Sequence, residues 1–131
     1  MMHAEPPPGD LIRFLRGNTD ASTFRHADHI RMAFEILRRH DFPDAAAAFA
    51  RSLKQIAARA GTPAKYHETI TMAFLSLIAE RSANVRYTGF ESFIEDNCDL
   101  LDASILRRWY APGRLASGIA RRTFVLPDPH P

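Results

Sequence analysis

PDAAAAFARSLKQIAARAG, residues 43–61, decides the fold. Pro43 presets the first-turn dihedral of a helix where its missing N–H is not needed, and Asp44 beside it complements the positive helix start. Alanine gives up the least side-chain freedom in a helix, and the stretch Ala45–Ala60 is rich in it. Gly61 supplies the residue that most easily turns a chain out of a helix. Phe49, Leu53 and Ile56 recur at helical spacing, so this segment carries one apolar stripe that neighbours must cover.

The same period runs outward on both sides. Upstream, Ile30, Ala33, Phe34 and Leu37 predict a helix from about Thr23 to Arg39. Downstream, Thr62-Pro63 is a short connection to a helix carrying Tyr66, Ile70, Ala73, Phe74, Leu77 and Ile78 to about Ser82. A fifth helix is expected from Phe90 to about Leu101, with Phe90, Phe93, Ile94 and Leu101 facing inward. Ala103–Tyr110 reads as a short sixth helix, Arg114–Arg122 as a last helical turn or two, and Asp10–Arg16 as a short first helix stopped by Gly17. Pro6, Pro7 and Pro8 mark residues 1–9 as a flexible arm. Thr123–Leu126 reads as an extended strap and 127–131 as a flexible tail. No alternating stretch suggests a sheet. The expectation is an all-α, single-domain bundle over residues 10–126, of about five or six helices joined by short loops.

Composition narrows the function classes. The 131 residues suit one domain with one buried core. Seventeen Lys and Arg against fifteen Asp and Glu leave a net charge of +2, too mild to argue for nucleic acid. Arg107, Arg108, Arg114, Arg121 and Arg122 are interspersed with Asp99, Asp102 and Asp128, which reads as an ion-paired surface; no groove-reading motif accompanies them. The only cysteine, Cys98, fits a reducing cytoplasm and reads as a small buried hydrophobe. No apolar run approaches the ~20 residues that span a bilayer, and no leader with an apolar centre precedes the domain, so a cytoplasmic protein without membrane contact is expected.

The chemistry is expected from three imidazoles. Residues three or four apart share a helix face, so His26 and His29 lie on the inward side, one turn before the apolar run. His67, Ile70, Phe74 and Ile78 form a comparable stripe. Short loops make consecutive helices antiparallel. The helices bearing His26–His29 and His67 then run parallel, and all three rings reach one end of the bundle. Three imidazoles there could ligate one divalent transition metal, leaving an open position for water or substrate. Alternatively they could serve acid–base chemistry on a small molecule, with parallel helix starts favouring an anionic one. Glu68 is the candidate general base or ligand-orienting carboxylate, with Tyr66 and Thr69 as candidate hydroxyls at the reacting centre. Thr69 and Thr71 also read as ordinary surface threonines. Asp96, Asp99 or Asp102 on the fifth helix could complete the site, whereas Asp28 is turned away from it. The competing expectation is a non-catalytic, homodimeric interaction module whose histidines fix packing.

Phe24, His26 and His29 in the spacing FxHxxH, the run Tyr66-His67-Glu68-Thr69 and the run Phe124-Val125-Leu126-Pro127-Asp128 together resemble a family of small bacterial helical proteins of uncharacterised function. The resemblance spans about Thr23 to Asp128 and implies that His26, His29, His67 and Glu68 are the positions that matter. It implies no particular activity, substrate or cofactor. In layout the chain is more distantly similar to bundle proteins that hold one divalent metal with three histidines.

Overall fold

Two glycine-closed helices fix the frame of the computed structural model, which describes residues 6–129. Helix α3, Phe42–Arg59, carries the deciding stretch and ends at Gly61, whose φ of 75° is left-handed. The Gly61 N–H bonds to the Ala58 carbonyl and the Thr62 N–H to Ala57, which satisfies the last carbonyls of the helix. Helix α1, Gly9–Leu15, closes identically at Gly17, with bonds from Gly17 to Phe14 and from Asn18 to Arg13. A Cβ at Gly17 would sit 2.5 Å from Gln55 Oε1, so this turn also needs glycine for its close approach to α3.

Between them runs α2, His26–Leu37, and after α3 come α4, Glu68–Ser82, and α5, Phe90–Asp96. Two short helices, α6 (Pro112–Leu115) and α7 (Gly118–Arg122), complete the order. Single 3-10 turns lie at Ala21–Thr23, Pro63–Lys65, Cys98–Leu101 and Ile105–Arg108. The fold is all-helical, with no strand among the described residues. None of their helices is long and apolar enough to cross a membrane.

Helix α2 is the central rod. It touches α1, α3, α4, α5 and the Cys98–Leu101 turn, and it buries Ile30, Met32, Ala33, Phe34 and Ile36. Surrounded on several sides, it buries more than one stripe, and even Glu35 is buried, its carboxylate held by Arg39 at 2.6 Å. Phe34 stacks on Phe93 at 4.7 Å between centroids, and Tyr87 meets Phe93 edge-on at 5.2 Å, which seats α5 on α2.

Element boundaries differ from the sequence expectation for local reasons. Thr23 belongs to a 3-10 turn, and α2 begins at His26, where the Asp28 carboxylate accepts the Arg25 N–H at 2.8 Å. Pro63 opens only a 3-10 turn, so α4 begins five residues later, at Glu68. The fifth helix stops at Asp96. There the Asn97 side-chain amide takes the Phe93 carbonyl at 2.9 Å while its own N–H tightens onto Ile94. That tightening turns Leu100 inward, fully buried, and leaves Leu101 46% exposed, against expectation. Cys98 is exposed rather than buried for the same reason.

The C-terminal segment is an extended strap, as its sequence suggests, and side chains pin it. Thr69 Oγ1 donates to the Thr123 carbonyl at 2.8 Å and accepts from the Val125 N–H at 3.1 Å. The Tyr110 hydroxyl donates to the Val125 carbonyl at 2.8 Å, and Arg114 Nε to that of Leu126 at 2.7 Å. Asp128, in the segment expected to be a tail, accepts the Ala111 N–H and pairs with Arg114. Of the expected N-terminal arm, residues 1–5 lie outside the described residues, and Gly9 is already helical; residues 130–131 also lie outside. Of the C-terminal arginines, Arg108 pairs with Asp99, which Arg81 of α4 also reaches, and Arg114 pairs with Asp128.

Replacing Thr69 by the isosteric valine removes one donor and one acceptor from a fully buried site. The expected loss is about 1–3 kcal/mol, with faster hydrogen exchange at the Val125 amide. Unchanged exchange there would refute the pinning role.

Candidate functional site

Helices α2, α3 and α4 line an open cavity of about 750 Å³ that runs inward from the first turns of α2 and α4 and the last turn of α3. His26, His29, Ile30 and Ala33 line it from α2; Phe49, Leu53, Ile56 and Ala57 from α3; His67, Ile70, Thr71 and Phe74 from α4. Helices α2 and α4 pack directly on each other, and α3 packs beside both, its last turns next to their first ones. All three imidazoles therefore line a single cavity, but in different states.

His26 is the first residue of α2, and its ring meets Phe74 edge-on at 5.0 Å. Its Nε2 donates to the Leu100 carbonyl at 2.9 Å. A carbonyl only accepts, so the proton of the neutral ring sits on Nε2 and Nδ1 carries the lone pair. The His29 ring, one turn on, lies against the Phe24 ring at 4.4 Å and makes no hydrogen bond among the described residues. Burial, then the neighbouring His26, push its pKa down to about 4, against a smaller opposing pull from Asp28. His29 is consequently neutral at physiological pH.

His67 is the N-cap of α4. Its Nδ1 accepts the Ile70 N–H at 3.1 Å and its Nε2 donates to the Leu115 carbonyl at 2.7 Å, joining α4 to α6. Both ring nitrogens are committed, so this ring has no lone pair to offer an ion. Among the described residues no group of three or more His, Cys, Asp or Glu side chains is arranged to hold a metal. The set His26, His29 and His67 thus does not fit the expected divalent-metal centre.

The expected catalytic hydroxyls and carboxylate are also employed elsewhere. Tyr66 lines the cavity, but its hydroxyl donates to Glu68 Oε1 at 2.7 Å. Burial first, and that bond second, raise the phenol well above its ordinary range, so it keeps its proton. Glu68 holds Tyr66 and is not part of the lining, which leaves it no base's position over a ligand. Thr69 faces the strap. Asp96 accepts from the Tyr87 hydroxyl, Asp99 pairs with arginines, and Asp102 caps the turn at Ser104; none lines the cavity. Their segment does reach this end of the bundle, through the Leu100 carbonyl rather than a carboxylate.

Two contributors escaped the sequence reading. Thr71, expected on the surface, is buried on the lining and donates to the His67 carbonyl at 2.7 Å. Its position four residues after His67 was the available signal. Lys65 ends the Pro63–Lys65 3-10 turn, which helical spacing does not reach. No family model matches the chain, and neither a curated protein nor a solved structure is found to be similar to it.

Proposed function

We propose that this protein binds a small, largely apolar molecule in the cavity at the end of the bundle. His26 and His29 meet the ligand's polar part and can exchange a proton with it. The observation that carries this reading is the state of His29. Its half-buried ring lies on the cavity lining and bonds to no other group among the described residues, so its nitrogens are open to a bound ligand. The cavity volume of about 750 Å³ supports it, falling within the range of small-molecule sites. The lining supports it too, with aromatic and aliphatic walls from Phe49, Leu53, Ile56, Phe74 and Ile78. His67 belongs to the competing, structural reading of the histidines, because it ties helix start to helix end.

The test is an apolar fluorescent probe, N-phenylnaphthylamine, titrated into the wild-type protein and into Ala57→Phe, which fills the cavity from α3. Saturable binding to the wild type is expected, weakened at least ~10-fold in the variant, equivalent to about 1.4 kcal/mol. Circular dichroism should show the same helix content in both. Equal binding to the two proteins, or none to the wild type, would overturn the reading.

A further inference from the structure

We infer that the ligand is an amphipathic carboxylic acid, its carboxylate at the Lys65 end of the cavity and its hydrocarbon body against Phe49, Phe74 and Ile78. This inference rests on the cavity reading above and adds the ligand's chemical class and orientation.

The shape of the lining comes first. It extends along α3 from Ala60 back to Phe49 and along α4 from His67 on to Ile78. At 1.5 Å of rise per residue, each run is about 16 Å long. The cavity is therefore a slot along the helices rather than a shallow bowl, and a chain-like molecule fits a slot. Its two ends differ in chemistry. Phe49 and Ile78 lie deep, on the sides of long helices. Thr62 and Lys65 belong to the connection between α3 and α4, at the mouth, with His26 and His29 in the first turns of α2.

Charge then selects the head group. Among the described residues, Lys65 is the one lysine or arginine on the lining, and no aspartate or glutamate lines it. Lys65 has no ion-pair partner among the described residues. The carboxylate nearest in sequence, Glu68, is engaged by the Tyr66 hydroxyl and does not compete. A ligand carboxylate at this mouth meets one cation and the N–H of the His29 ring, since those of His26 and His67 are held by carbonyls, and such bonds are stronger to an ion than to a neutral hydroxyl. An ammonium head would face Lys65 with nothing to offset the repulsion.

Displacement of N-phenylnaphthylamine by decanoate and by decanol, two probes with the same hydrocarbon chain, tests the class. Decanoate is expected to displace the dye at concentrations ~10-fold lower than decanol, and Lys65→Met should reduce that preference ~5-fold. A second readout does not depend on Lys65: bound decanoate should raise the His29 titration midpoint seen by NMR, whereas decanol should not. Equal affinities for the two probes, or a preference untouched by Lys65→Met with His29 unmoved, would overturn the inference while the cavity reading stands. Dye binding that neither probe displaces would do the same. Absence of dye binding to the wild-type protein would remove both.

Discussion

His67→Ala is expected to lower the unfolding free energy by about 3 kcal/mol, measured from urea midpoints at neutral pH. Two bonds go at once. The Nδ1 cap on the Ile70 N–H accounts for about 1 kcal/mol, in the range of side-chain N-caps. The Nε2 bond to the Leu115 carbonyl contributes a similar amount. The remainder comes from leaving the Ile70 N–H and the Leu115 carbonyl without partners beside a residue that is 8% exposed. Asparagine separates these parts. It is a good N-cap with too short a side chain to span to α6, so His67→Asn should recover about 1 kcal/mol of the loss. A loss under about 1 kcal/mol for the alanine variant would mean that this ring does not join the two helices.

The second large effect is on acid stability. His29 takes a proton near pH 6.5 in the unfolded chain but only near about 4 in the folded protein, because burial and His26 oppose the charge. Between those values the unfolded state binds the proton and the folded state does not, so falling pH favours unfolding. The stabilisation is complete above pH 6.5, declines as the pH drops towards 4, and is gone below it. The full interval corresponds to about 3 kcal/mol, and partial solvent access to the ring reduces the expectation to about 2 kcal/mol. Other groups titrate in the same window, so the comparison that isolates His29 is with His29→Leu. The variant should lose about 2 kcal/mol less than wild type between neutral and mildly acidic pH. Parallel pH profiles for the two proteins would contradict a buried, neutral ring.

Much of the fold could be read from helix-forming composition and apolar spacing, because both act locally. The stretch 43–61 needs no distant partner to declare itself, and the glycine at its end closes it as expected. The meeting of His26, His29 and His67 on one cavity also follows from local rules, since short loops leave consecutive helices little choice of direction. What each ring does there was not legible. Whether an imidazole is spent on a carbonyl depends on residues 74 positions away for His26 and 48 away for His67. Thr69 failed as a site residue for that reason, its hydroxyl being taken by a strap more than fifty residues downstream. Tyr66 misled in a simpler way. It falls on the apolar stripe of the fourth helix, yet it is extended in the structure, and the connection that begins at Thr62-Pro63 runs on through a 3-10 turn to His67.

The lone thiol turned outward at residue 98 has a practical consequence. It sits on the short turn that offers the Leu100 carbonyl to His26. A nitroxide attached there would label the native chain at one position without mutagenesis. Its mobility would report whether that turn tightens or loosens when the neighbouring cavity fills.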